Sequence, residues 1–241
     1  MRLTRTWLDA PLIVGQHVAL DDTATAHLVR VLRLGLGDAF VLFNGDGHDY
    51  EARITAIAKR SAEAELMSRR PVSNESPLRI VLAQALARGE KMDWVLQKAT
   101  ELGVAELIPL LTERSEVRLD AERSDKRLQH WRGVIASACE QSGRARLPAL
   151  HAPVALADWL ARSSPDRILY LDPLAATSLR ELAADASYAL VVGPEGGLGE
   201  RDLHVLRAAG AHGVRLGPRV LRTETAGIAA IAALQAIFGD I

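Results

Sequence analysis

The chain of 241 residues carries 29 Lys and Arg against 30 Asp and Glu, a formal net charge of −1, and 49% of it is hydrophobic. That length supports one large domain or two modest ones, of which two is the expectation, and the near-neutral balance excludes a global field that would hold nucleic acid, so RNA contacts must come from local patches. A single cysteine, Cys139, excludes an internal disulfide and a cysteine-built zinc site, and the seven histidines are scattered without metal-ligand spacing, so no metal is expected.

The first residues include arginines but no apolar core of signal-peptide length, and nowhere is there a membrane-spanning run, which points to a soluble cytoplasmic protein. Asp22 to Leu34 reads as a helix in which His27, Arg30 and Arg33 recur at spacings of three, either a phosphate-reading edge or a solvated face. Ala39 to Phe43, the turn Asn44-Gly45-Asp46-Gly47, Asp49 to Ile57 and Ala62 to Met67 read as strands and hairpins of a small β unit. Arg2, Arg5 and the pair Arg69-Arg70 make a basic patch there if folding gathers them.

Pro71 to Pro77, with two prolines among polar residues, is the candidate linker. Beyond it, Leu78 to Ala85 reads as a buried strand. Met92, Val95, Leu96, Ala99 and Leu102 share one helical face capped by Gly103, and Val104 to Leu110 is a second strand. A β-α-β unit implies a parallel sheet covered by helices. Ser124 to Ser142 reads as a helix with Leu128, Trp131, Ile135 and Ala138 as its packing stripe, which makes Trp131 core and Cys139 a buried, inert thiol. The segment Ala138 to Arg144 either lines a nucleotide pocket or ends the helix with Gly143 as a C-cap.

Ala155 to Ala161 reads as helix, Arg167 to Leu171 as a strand ending at Asp172-Pro173, and Tyr188 to Val192 as a strand delivering the loop Gly193-Pro194-Glu195-Gly196-Gly197-Leu198-Gly199 to a helix, Glu200 to Ala209. Backbone amides at such a junction can face a ligand. Val214 to Leu216 leads to Gly217-Pro218 and then to a helix dense in Ala and Gly from Thr223, for which Thr223 is a candidate cap and Glu224 suits the positive end of the dipole. No lysine follows these glycines as a Walker loop requires, and their spacing and late position do not suit a dinucleotide fold. Two glycine-bearing loops after strand ends suggest instead a pocket walled by backbone, suited to a bent, mostly uncharged ligand with an adenine and a small polar tail.

At these residues the chain resembles the RsmE family, bacterial small-subunit rRNA uridine-N3 methyltransferases of the SPOUT superfamily. The matching segments are Arg88 to Met92, Gln97 to Val104, Ala138 to Arg144, Gly193 to Gly197 and Leu216 to Ala226, with Val29 to Arg33 near the start. The resemblance implies a PUA-like β-barrel domain over residues 1–72 and an α/β methyltransferase domain over 73–241 with a C-terminal trefoil knot. It also implies a homodimer whose active site lies at the subunit interface, S-adenosylmethionine as cofactor with S-adenosylhomocysteine as product, and 16S rRNA or the small ribosomal subunit as partner.

By position, the cofactor loops it implies are Leu171, Asp172 and Pro173; Val192, Gly193, Pro194, Glu195, Gly196 and Gly197; and Leu216, Gly217, Val220, Leu221, Thr223 and Thr225. Side chains on the glycines would block backbone groups from the ligand. For methylation at N3, Arg222 is the candidate cation for charge developing on the uracil oxygens, and Glu195 or Glu224 the candidate proton acceptor. RNA backbone falls to Arg2, Arg5, Arg30, Arg33 and Arg219. The competing readings are a knot-type enzyme acting on a ribose 2′-oxygen or a tRNA base, and a non-catalytic rRNA-binding assembly protein.

Overall fold

A computed structural model describes residues 3–115, 121–162 and 167–241. The chain forms two compact units, one made of the residues up to Glu75 together with Ala136–Leu147, the other of Ser76–Ile135 and Pro148–Ile241. A division at 72/73 by sequence order alone leaves that inserted segment with the second unit.

In the first unit, β1 (Arg5–Trp7) and β2 (His17–Leu20) precede a short helix α1 (Asp22–Thr25), and β3 (Ala39–Phe43), β4 (His48–Ile57) and β5 (Ala62–Pro71) follow. The strand order is β1-β3-β4-β5-β2, with β1 parallel to β3 and the other pairs antiparallel. Among the described residues no β1–β2 pairing closes this ladder into the barrel the resemblance implied, and the strands at its two ends have only three and four residues. Register shifts at Glu51/Ala52 and Ile54/Ala56 add bulges, the usual means of bending a long strand. The alternation of strand side chains puts Phe40, Leu42, Tyr50, Ala52, Ile54, Ala64 and Leu66 into one core with Leu20 and Leu28. Pro71, read as linker, is the last residue of β5.

The segment from Asp22 is not one α-helix. Asp21 caps α1 by accepting from the Ala24 amide at 2.7 Å, and the chain then widens into a π-helical turn, Ala26–Val31, with Leu32 N–H bonded to the His27 carbonyl at 3.0 Å. Arg33 follows at φ +60°, outside the turn. The i, i+3 grouping of His27, Arg30 and Arg33 therefore does not survive, because five-residue hydrogen bonding rotates side chains away from α-helical neighbours.

The second unit opens with β6 (Arg79–Ala85), α2 (Lys91–Glu101) and β7 (Glu106–Leu111). Gly103 ends α2 at φ +83°, a left-handed C-cap conformation. Next come α3 (Ala121–Ser142), β8 (Ala149–Leu150), β9 (Val154–Ala155), α4 (Leu156–Leu160), β10 (Arg167–Leu171), β11 (Ser187–Val192), α5 (Glu200–Ala208), β12 (His212–Val214) and α6 (Thr223–Phe238). The sheet is parallel throughout, ordered β12-β10-β11-β6-β7-β8, with β9 also beside β7. Every residue of β11 is buried, as a parallel strand covered on both faces requires. Trp131 is buried, so it is core. The chain builds outward from β6 to β8, then returns to lay β11 on the other side of β6, with β10 and β12 beyond. That reversal of strand order brings the carboxyl ends of β6, β10, β11 and β12 together, the position where open parallel sheets bind ligands.

Candidate functional site

Three loops leave the carboxyl ends of β10, β11 and β12 and enclose a crevice of about 420 Å³, within the usual range for small-molecule sites. Each loop is held by its own chemistry. After β11, Gly197 N–H closes a turn onto the Pro194 carbonyl at 2.9 Å, and Gly197 sits at φ +71°, which favours glycine. Gly193 is required for a different reason: a Cβ there would lie 2.9 Å from the Leu198 backbone nitrogen. The Arg114 guanidinium braces the turn by donating to the Gly196 carbonyl at 2.8 Å, and Asp202 accepts from Gly199 N–H at 2.9 Å to start α5.

The loops after β10 and β12 are tied to each other. Arg215 donates from its guanidinium to the carbonyls of Ala175, at 2.8 Å, and Ala176, while its own amide bonds the Thr177 carbonyl at 3.0 Å. Asp172 accepts from the Leu174 amide at 2.9 Å, and its backbone amide continues the sheet to Val214 at 3.0 Å. Gly217 has φ +131°, and a Cβ on Gly217 or Gly197 would meet no atom of the described residues within 4 Å.

Thr223 is not the helix cap. Arg222 holds that position without a side-chain cap bond, its carbonyl accepting from Thr225 at 2.9 Å and Ala226 at 2.8 Å. The Thr223 hydroxyl points across the crevice floor, donating to the Gly193 carbonyl at 2.6 Å and accepting from Gln84 Nε2 at 2.9 Å. One buried threonine therefore joins the start of α6, the glycine loop and the end of β6. Gln84, overlooked in the sequence, is the only polar residue of β6 with a buried side chain, and a polar residue in a buried strand is a signal for such a bond.

The crevice wall carries a mixed charge set. Lys91 Nζ lies 2.9 Å from Glu195 and 3.7 Å from Glu224. Burial alone would raise the Glu195 pKa, but hydrogen bonds from Lys91, from its own backbone amide and from the amide of Arg88 outweigh it and hold the carboxyl below its ordinary value. Glu224 Oε2 is shielded from solvent and has no hydrogen-bond partner among the described residues.

The fold gathers the expected loop residues: Leu171, Asp172, Pro173, Val192, Gly193, Pro194, Glu195, Gly196, Gly197, Leu216, Gly217, Val220, Leu221 and Thr223 all line the crevice, with Arg219, Arg222 and Glu224. Thr225 does not; it lines a smaller adjoining hollow. Lys91, Leu198, Val214, Arg215 and Ala226 also line the crevice and were missed, Lys91 because it comes from α2, far away in sequence.

Arg5 is a correction. It is 7% exposed and enclosed in the first unit: its guanidinium pairs with Asp49 at 2.6 Å, donates to the carbonyls of Cys139 at 2.9 Å and Arg144 at 3.1 Å, and lies over the Phe43 ring. Buried, with each of its three guanidinium nitrogens already hydrogen-bonded, it is enclosed rather than presented to a phosphate. Within the first unit, Gly143 has the C-cap geometry that one reading of Ala138 to Arg144 expected, at φ +87° with its amide donating to the Cys139 carbonyl at 3.0 Å. Burial pushes the Cys139 thiol up to about 12, so it is inert. Arg30 and Arg33 are exposed in the first unit, and Arg2 lies outside the described residues. Among the described residues no cluster suits a metal, and no helix is long and apolar enough to cross a membrane.

Comparison with known proteins agrees with this geometry. Residues 74–235 match the model of an RNA methyltransferase domain and residues 20–67 that of an RNA methyltransferase PUA domain. The chain is 31% identical to ribosomal RNA small subunit methyltransferase E of Buchnera aphidicola subsp. Schizaphis graminum, covering 100% of this chain and 98% of that one. The Bacillus subtilis protein of the same name is 30% identical, over 87% and 86%. Among solved structures, a Neisseria gonorrhoeae ribosomal RNA small subunit methyltransferase E bound to S-adenosylmethionine superposes with a TM-score of 0.90 at 38% identity, covering 100% of both chains. A Legionella pneumophila methyltransferase in complex with its cofactor SAM gives 0.96 at 38%, again over 100% of both.

Proposed function

The chain belongs to the ribosomal RNA small subunit methyltransferase E family, and from that premise we propose that it binds S-adenosylmethionine and methylates N3 of a uridine in 16S ribosomal RNA. The observation that carries the reading is the three-loop crevice at the carboxyl ends of β10, β11 and β12. Its residues fit the cofactor. Gly197 and Gly217 open onto space that a Cβ would enter, and Gly193 admits the close backbone packing that shapes the wall. Leu171, Leu216, Val220 and Leu221 offer apolar surface, and Asp172 a carboxylate for a hydroxyl or ammonium. When bound, S-adenosylmethionine supplies an electrophilic methyl on a sulfonium.

The chain's own residues do the rest. The uracil N3–H has to be surrendered before the nitrogen can attack. Glu224 is the better acceptor of the two carboxylates, because its Oε2 has no donor among the described residues whereas Glu195 is engaged by Lys91 and the Arg88 amide. Arg222, exposed at the head of α6, is the cation for negative charge spreading to the uracil oxygens. Arg219, exposed on the same loop, suits a phosphate of the RNA, as do Arg30 and Arg33 in the first unit.

We extend the reading to a trefoil knot through these loops, a domain boundary near 72/73, a homodimer completing the site and a cytoplasmic location beside the ribosome. Sedimentation as a monomer at micromolar concentration would remove the dimer. Pulling the chain by its ends to a contour no shorter than the unknotted length would remove the knot. The decisive test of function is mass spectrometry of ribosomal RNA from a strain lacking the gene. One 3-methyluridine should vanish from the small-subunit RNA and return on complementation; loss of a 2′-O-methyl group or of a tRNA methyl would reassign the target.

A further inference from the structure

Trp94 stands out from its helix. Met92, Val95, Leu96 and Ala99 of α2 are buried, as the apolar face requires, but Trp94 is 54% exposed. A lone exposed aromatic means little by itself. Here, however, it forms the wall of a hollow of about 370 Å³ with Glu90, Lys91, Glu224 and Thr225, and that hollow shares Lys91 and Glu224 with the main crevice. The two spaces are neighbours across a Lys-Glu partition. The partition is incompletely satisfied: Lys91 hydrogen-bonds Glu195 at 2.9 Å and stands 3.7 Å from Glu224, whose Oε2 accepts from no group among the described residues. A shielded acceptor without a donor is costly, and such a group calls for a partner from elsewhere.

We propose that Trp94 is the stacking platform for the target uracil, with Glu224 and Lys91 reading the ring's edge. This rests on the methyltransferase reading above and adds the residues that seat and select the base. Uracil presents acceptor, donor and acceptor in a row, O4, N3–H and O2. Turned toward the hollow, the unpartnered Glu224 oxygen accepts from N3–H, and one flanking carbonyl meets the Lys91 ammonium, its strongest donor match on this wall. Cytosine has a bare nitrogen where uracil has N3–H, so it would leave Glu224 without a donor, the kind of mismatch by which hydrogen-bonding sites discriminate strongly. A base leaving an RNA stack loses its neighbours' faces, and the indole of Trp94 replaces one of them. Because the hollow shares Lys91 and Glu224 with the crevice, a base seated against Trp94 meets the methyl donor's space at those two side chains.

The test uses the full-length chain with S-adenosylmethionine and small ribosomal subunits from a strain lacking the gene, comparing wild type, Trp94→Ala and Trp94→Phe. Base-aromatic stacking predicts that Trp94→Ala raises KM for the subunit roughly 5- to 150-fold. The dissociation constant for S-adenosylmethionine, the thermal midpoint and the sedimentation coefficient should stay at wild-type values, and Trp94→Phe should recover most of the loss. A Trp94→Ala enzyme with wild-type KM overturns the proposal, as does a loss accompanied by altered sedimentation or not relieved by phenylalanine. Failure of the underlying reading shows separately, as wild-type protein that places no methyl on uridine N3.

Discussion

Two places in the molecule collect charged side chains from distant parts of the sequence, and they treat them in opposite ways. Around Arg5 in the first unit, the guanidinium is buried against Asp49 and two carbonyls, Asp49 also takes Arg70 at 2.8 Å, and Arg144 pairs with Glu75 at 2.5 Å. At the crevice in the second unit, Arg219 and Arg222 are exposed, one Glu224 oxygen has no donor among the described residues, and Lys91 stands between two carboxylates. A matched network fixes structure; an unmatched one keeps its free energy for a ligand. Arginine at the first place is therefore an architectural residue, whereas at the second it stands exposed on a crevice wall, although both looked alike as letters in a sequence.

The contrast is most easily broken at its buried end. Arg5→Ala strands the Asp49 carboxylate beside a single, exposed Arg70 and is expected to cost about 3–5 kcal/mol of unfolding free energy by urea titration, with kcat of the folded fraction unchanged. Arg222→Ala should do the converse, lowering the single-turnover methyl-transfer rate by about 10²- to 10³-fold while the urea midpoint and S-adenosylmethionine affinity move little. An Arg222 variant that unfolds easily but turns over normally would dissolve the distinction. Between these lies Thr223→Val. It leaves the Gly193 carbonyl and Gln84 Nε2 without their hydroxyl and is expected to cost about 1–3 kcal/mol in stability and to weaken cofactor binding, measured by calorimetry, because the loop it anchors is the crevice wall.

The smallest expected effect concerns acid. A carboxyl whose folded pKa lies below its unfolded value of about 4.3 stabilises the fold above that value, and the contribution fades as pH falls through the folded pKa. Glu195 is held in that direction by Lys91 and the Arg88 amide against the opposing pull of burial. Glu195→Gln should therefore lower the urea midpoint slightly at pH 7 and leave it level with wild type near pH 2; an equal deficit at both would mean the carboxylate's charge is not what Lys91 holds.

The sequence revealed its periodic elements readily. Strand β3 occupies the residues read for it, β4 and β11 differ by one, and Met92, Val95, Leu96 and Ala99 of α2 and its Gly103 cap are as read, with Leu102 falling just past the helix, since alternation and 3.6-residue spacing are local properties. The loop residues were legible too, though their identities came from family motifs rather than from physics. What stayed hidden depended on partners far along the chain. Arg5 meets Asp49, Cys139 and Arg144, and Thr223 meets Gln84 and Gly193, pairings that no window of neighbouring residues contains. The short strands β1 and β2 went unseen because three or four residues carry too little alternation to register. The π-helical turn at Ala26–Val31 differs from an α-helix by one residue per turn, less than composition can resolve.

The central claim is that chemistry resides in the crevice groups left without partners, and the two carboxylates beside Lys91 allow a direct test. Single-turnover methyl transfer to small ribosomal subunits, at saturating S-adenosylmethionine, should slow by about 10²- to 10⁴-fold in Glu224→Gln and stay near the wild-type rate in Glu195→Gln. The reverse order, with Glu195→Gln crippled and Glu224→Gln active, would contradict the account.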